Sequence, residues 1–321
     1  MRAARLFSAV IIVPVLTVAL AQVADAASAK PGGKCGRKGT VVHDAATNAD
    51  LVCSKKGSSL VWVRSGGGSG AAGGSAGSAS GTAGIASSAQ IPKVIQNWAL
   101  DLAPFDPATG RAGVMQITGV QPPTFANPED TAMYSHIVGL YGESIKGGIQ
   151  EPQMGFYAPL GTPVISMLDG TVCSRPQLYS GDFSVRVAPP GVACKDGAAS
   201  ILVEHEHLLN PTVNVGAKVK AGQQLGVVSD YNPNWKAKGM GVIETGVFFI
   251  KSSDTSRPWH ACLANFLAPA KSAALQATLS SIETAWNAER ADPSLYNVAA
   301  QNPVGCLTQA DITDTQSGQK Q

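Results

Sequence analysis

The chain has no Cys-x-x-Cys pair, no Gly-x-Ser-x-Gly turn, and no histidine between His136 and His205 or between His207 and His260. The first absence argues against a cysteine-based zinc site. The second removes the sharp strand-to-helix turn that presents a serine nucleophile. The third leaves the longest β-rich stretch almost without imidazole, and imidazole is the usual ligand for catalytic zinc. No aromatic–basic pattern of the nucleic-acid-binding kind is present, so nucleic acid is not an expected partner. The one long apolar run, Leu6 to Leu20, is short for a membrane span, and nothing membrane-like follows it.

That run begins after Arg2 and Arg5 and ends before Ala24-Asp25-Ala26. A basic start, an apolar stretch and a small-x-small site read as a secretory signal peptide over residues 1–26. No cysteine stands at the cleavage point, so a lipoprotein anchor is not indicated. The expectation is a secreted, extracytoplasmic protein at the cell wall. Its six cysteines are an even number for an exported chain, which argues for disulfides. Six cysteines allow fifteen pairings. Order along the chain favours the local set Cys35–Cys53, Cys173–Cys194 and Cys262–Cys306.

Charge is uneven. Residues 30–64 hold seven Lys or Arg (30, 34, 37, 38, 55, 56, 64) against Asp44 and Asp50, whereas the chain after Arg64 holds fifteen basic and nineteen acidic residues. A small basic module therefore precedes a mildly acidic domain. The module is too small to hold a core unaided, so a Cys35–Cys53 staple suits it. Leu51-Val-Cys53 and Leu60-Val-Trp-Val63 read as two strands around Lys56-Gly57. This pattern resembles a short two-cysteine module of exported proteins from high-GC Gram-positive bacteria. Its basic surface suits anionic wall polymers or headgroups, or simply water.

Residues 65–90 are nearly all Gly, Ser, Ala and Thr and read as a flexible linker. Residues 91–267 read as the main domain, mostly β, because its apolar runs are short, β-branched and separated by turn residues. Examples are Val164-Ile-Ser-Met, Val185-Arg-Val-Ala, Ile201-Leu-Val-Glu, Leu225-Gly-Val-Val and Val247-Phe-Phe-Ile. From Pro269 to Ala291, Leu275, Leu279, Ile282 and Trp286 recur at helical spacing, which predicts an amphipathic helix packed on the β domain. Residues 268–306 then form a helix and disulfide-pinned extension, and residues 307–321 a disordered tail.

Two segments share one grammar: Gly155-Phe-Tyr-Ala-Pro-Leu-Gly-Thr-Pro-Val164 with Leu168-Asp-Gly-Thr-Val172, and Val215-Gly-Ala-Lys-Val-Lys-Ala-Gly-Gln-Gln-Leu-Gly226. With Val203-Glu-His-Glu-His-Leu208, they make residues 151–250 resemble the lysostaphin/LytM-type zinc endopeptidases. These have the duplicated hybrid motif, a compact folded antiparallel β-sheet, and cut peptide cross-bridges of bacterial cell walls. A biotinyl or lipoyl carrier uses related strands, but Ile165-Ser-Met-Leu lacks the required lysine.

The resemblance implies where zinc ligands belong and shows that they are replaced. The family uses His-x-x-x-Asp before the Ala-Pro-Leu-Gly segment, and the last histidine of a His-x-His on a late strand. Here those first two positions fall at Glu151 and Gly155, and the late strand, Ile243 to Ile250, has Glu244 and no histidine. His207 matches a histidine that assists the reaction in active relatives, and is a vestigial candidate here. His205 and His207 are expected on a strand edge, one inward and one outward. No catalytic residue, metal ligand or cofactor is therefore expected. The groove candidates are Glu151, Gly155, His207 and Glu244, and a rebuilt metal site would draw on Glu151, Glu244 and His207. The resulting expectation is a catalytically degenerate LytM-like domain that binds peptidoglycan or regulates a cell-wall hydrolase. The alternatives are a divergent active zinc endopeptidase and a purely structural envelope protein.

Overall fold

The computed structural model describes residues 30–36, 41–44, 49–64, 84–125, 135–145 and 149–313. The expected leader, most of the Gly/Ser/Ala segment and residues 314–321 lie outside the described residues. By its internal contacts the chain divides into two units, Met1–Gly68 and Ser69–Gln321.

The first unit is a three-stranded antiparallel sheet in the order β1 (Val41–Asp44), β2 (Ala49–Lys56), β3 (Ser59–Arg64). Gly57, at φ +63°, makes the tight turn between β2 and β3. Cys53 sits directly opposite Trp62, and these two with Leu51 form the buried centre. The expected Cys35–Cys53 disulfide closes over them.

The second unit is mostly β, as its sequence pattern predicts. Two small hairpins, β4 (Arg111–Ala112) with β5 (Met115–Gln116) and β7 (Ser144–Ile145) with β8 (Ile149–Gln150), flank a larger sheet. That sheet contains β6 (Val138–Gly139), β9 (Met154–Pro159), β10 (Pro163–Ile165), β11 (Gly170–Ser174), β12 (Phe183–Ala188) and β13 (Ile201–Leu209). It continues with β14 (Lys218–Val219), β15 (Gln224–Val228), β16 (Met240–Lys251), β17 (Asp254–Ala261) and β18 (Ile312–Thr313). The main path runs β14-β11-β12-β13-β16-β17-β18, and β9 lies on the other part of β16. The repeated glycine grammar has a direct structural counterpart. Gly161 and Gly222 both take φ +82°, and the strands that follow them, β10 and β15, pair with each other.

A four-residue helix, α1 (Pro233–Lys236), precedes β16, and α2 (Pro269–Arg290) is the helix that the spacing predicts. Leu279, Ile282 and Trp286 are fully buried on its inner face. Residues 91–121 pack on the same helix: Trp98 Nε1 donates to Leu275 O at 3.1 Å, and Phe105 N donates to Ser281 Oγ at 2.9 Å. Trp286 Nε1 donates to Ser135 O at 2.9 Å. No helix among the described residues is long and apolar enough to cross a membrane.

Three expectations need correction. Cys173 and Cys194 are free thiols, not a disulfide. Burial, then its hydrogen bond to Cys194, pushes the Cys173 thiol up to about 12, and its Sγ donates to Ala198 O. The end of the expected linker is docked rather than free, because Ile85 bridges to Lys251 and exchanges backbone hydrogen bonds with Ile250 and Ser252. In the expected tail, Ile312 and Thr313 are buried and pair with His260 and Trp259.

The Cys262–Cys306 bridge is present, with a separation of 44 residues. It holds the chain after α2 beside Tyr141, whose N–H donates to Gly305 O. Replacing both cysteines by serine is expected to lower unfolding free energy by roughly 2–4 kcal/mol. Urea denaturation under non-reducing conditions measures this, and an unchanged midpoint would contradict it.

Candidate functional site

The site candidates from the sequence lie where β9, β16 and β13 run side by side. Glu244 of β16 is directly opposite Gly155 of β9 on one side and Glu206 of β13 on the other. Glu151 lies just before β9, with Oε1 accepting from Gln153 N at 3.3 Å. Directly opposed residues share a face of the sheet, so this register sets Glu206 and Glu244 together.

His207 joins them through an irregularity. Phe183 pairs with Leu208 and Val185 with His205, so β13 spends one more residue than β12 across this interval. This is a β-bulge, and His207 within it takes φ +62°. Strict alternation would put His205 and His207 on the same face, two residues apart. The bulge separates them instead. His205 remains in the core, where burial drives its pKa down to about 4. Met167 N donates to its Nε2 at 3.1 Å, so Nδ1 carries the proton toward Val185 O. His207 turns toward the carboxylates.

Both ring nitrogens of His207 face an anion. Nδ1 lies 2.9 Å from Asp182 Oδ2, and Nε2 lies 3.5 Å from Glu244 Oε2. The ring stacks on Tyr231 at 3.7 Å between centroids, and the Tyr231 hydroxyl donates to Glu244 Oε1 at 3.0 Å. Ser180 and Ser229 hydroxyls bond Asp182 and hold it in place. Burial of His207 works against its charge. Glu244, then the Asp182 bond, outweigh that and raise its pKa to about 9. Burial likewise opposes charge on Asp182, but the bond to His207 keeps that carboxyl below its usual range. The pair is an imidazolium between two carboxylates.

Glu206 and Glu151 have no such ion pair among the described residues. Burial raises Glu206 to about 8, with the neighbouring Glu204 adding to the shift, and its Oε2 accepts from Gln153 Nε2 at 2.7 Å. Burial followed by Glu244 raises Glu151 well above the carboxylate range. Glu204 behaves oppositely: burial pushes it up, but Arg186 at 2.6 Å and Ser184 hold it low. Near neutral pH the cluster therefore combines ionised carboxylates with others that keep their protons.

This donor set does not suit a catalytic zinc ion. Gly155 offers no ligand atom, and the imidazolium nitrogens are both committed to carboxylates. Among the described residues no group of three or more His, Cys, Asp or Glu is arranged to hold a metal. The structure brings Glu151, His207 and Glu244 together with Gly155 beside them. Sequence reading missed Asp182, Glu206, Tyr231 and Gln153. Asp182 and Tyr231 stand on loops distant in sequence from His207. Glu206 had a readable signal, since it sits in the Glu-His-Glu-His run next to a candidate.

No known family model matches the chain, and no curated protein does. Solved structures do. The catalytic domain of the antimicrobial peptidase lysostaphin from Staphylococcus simulans is 23% identical over 36% of this chain and 77% of that chain, with a TM-score of 0.27. The match spans 42% of the longer lysostaphin chain, at the same identity. A putative glycyl-glycine endopeptidase, LytM, from Ruminococcus gnavus is 20% identical over 40% of this chain and 47% of that one, with a TM-score of 0.26. At these identities and TM-scores the likeness carries no argument about chemistry, which rests on the side chains described above.

The pH dependence follows from the geometry. A histidine raised in the folded state stabilises fully below about pH 6.5, and this is lost as pH rises to about 9. Glu206, raised from 4.5 to about 8, acts in the same direction over its own range. Unfolding free energy is therefore expected to fall between pH 6 and 9, by roughly 3 kcal/mol from His207 alone. His207→Gln should cost roughly 3–5 kcal/mol at pH 6, because it leaves two buried carboxylates uncompensated, and should flatten the curve above pH 8. Denaturant titrations across this range test it, and a flat wild-type curve would refute the ion-pair reading.

Proposed function

We propose that this exported chain carries a LytM-like domain without peptidase chemistry, which binds peptidoglycan or a wall hydrolase through the face bearing Glu151, Gly155, His207 and Glu244. The observation that carries the reading is that His207 lies between Asp182 and Glu244 while Gly155 faces Glu244. The imidazolium occupies the electrostatic role that a cation would otherwise fill. Protonated on both nitrogens, it neither ligates a metal nor accepts a substrate proton, so it is no general base at neutral pH. Loops bearing Asp182 and Tyr231 border this face, and Tyr179 on the first of them is 77% exposed, which suits a ligand-stacking role.

Position 155 permits a direct test. A Cβ there would meet Gly139 N at 3.8 Å and Glu244 Cγ at 3.9 Å, which is ordinary contact, so the backbone at this position accepts a Cβ. The wild-type chain, equilibrated with zinc and desalted, is expected to retain no stoichiometric metal and to release no wall fragments. The triple variant Glu151→His, Gly155→Asp, Glu244→His is expected to retain zinc. Stoichiometric zinc in the wild type, with wall cleavage abolished by a chelator, would overturn the reading. Cosedimentation with purified wall sacculi separates binding from a purely structural role. Tyr179→Ala should weaken retention roughly tenfold without changing stability.

A further inference from the structure

The first unit has two unlike sheet faces. Directly opposed residues share a face, so Leu51, Cys53, Lys55, Leu60 and Trp62 lie on one side and Ser54, Lys56, Ser59, Val61 and Val63 on the other. The first side buries Leu51, Cys53 and Trp62. On the second, no side chain of that set is buried: Lys56 and Ser59 are exposed, and Ser54, Val61 and Val63 are half-buried. Lys34 bridges to Val61 across the outer edge of β3, which adds a second exposed lysine to this open face. Strand geometry separates the Lys34 and Lys56 Cα atoms by roughly 12 Å, with Ser54 and Ser59 between or beside them.

Lys55 and Lys56 stand at the Gly57 turn, and Asp44, Asp50 and Arg64 lie toward the other end of the sheet. Among ion pairs between described residues, none engages Lys30, Lys34, Lys55 or Lys56. The open face thus offers exposed lysines with serine hydroxyls among them.

We propose that this face binds a linear polyanion built of phosphate groups. The number of lysines touched decides between a small anion and a polymer. An exposed lysine gains only about 0–1 kcal/mol from one anion, so a single phosphate would not stay. A polyanion touching several lysines at once releases its condensed counterions, and that gain multiplies with the number of contacts. The serine hydroxyls add neutral donors to phosphate oxygens.

The test uses the full-length chain and long-chain inorganic polyphosphate, with affinity measured over a salt series from about 0.05 to 0.2 M. Affinity should fall steeply with salt. The Lys34→Gln/Lys56→Gln double variant should lose at least tenfold in affinity at low salt, and its log–log salt slope should shrink by about 1.4, or 0.7 per lysine. Lys55→Gln removes the same charge one residue away on the opposite face and should leave the slope unchanged. No binding at low salt, or an equal loss in Lys55→Gln, would overturn the proposal. So would binding to phosphatidylglycerol vesicles in the absence of polyphosphate binding, since that points to a membrane surface. Matching thermal unfolding of the variants and wild type confirms that the readout is binding.

Discussion

The second unit's chemistry depends on one buried cation. Asp182 and Glu244 come from a loop and a central strand, and each would be costly to leave charged in a dry setting. The His207 ring lies between them, with one nitrogen for each, and Tyr231 stacks on its face while donating to Glu244. Remove the imidazolium and two acids lose their counter-charge at once. The protons held by Glu206 and Glu151 then make sense, because a single cation cannot neutralise every carboxylate on this face.

Backbone irregularity makes the arrangement possible. Without the bulge in β13, His207 would follow His205 to the core side of the sheet. A non-glycine residue at φ +62° costs on the order of 1 kcal/mol. The two ion pairs offset that strain. Gly155 matters by contrast through what it does not supply. It leaves Glu244 unopposed by any side chain on the β9 flank, so the carboxylate turns to His207.

The readable part of this structure was its periodic part. Strand-length β-branched runs, paired glycine turns and the Leu275–Trp286 spacing each report on local geometry, and each corresponds to an observed element. The set Glu151, Gly155, His207 and Glu244 came from the resemblance rather than from periodicity, and the strand register sets Gly155 and Glu244 opposite each other. Asp182 was not, since a short polar loop carries no periodic signal and its meeting with His207 depends on the bulge. Order along the chain paired Cys173 with Cys194, and the structure sets them side by side as free thiols. Residues 312–313 read as tail because two strand residues are too few for a pattern, although burial of Ile312 fixes them.

The charge state of His207 is the most direct thing to measure. Nitrogen-15 NMR of the histidine rings distinguishes imidazolium from either neutral tautomer. Across a titration, both His207 nitrogens should keep the protonated signature through neutral pH and change only near pH 9, while His205 stays neutral down to about pH 4. A His207 that titrates near its ordinary value of 6.5, or whose ring signals move on adding zinc, would contradict a site organised around a buried imidazolium.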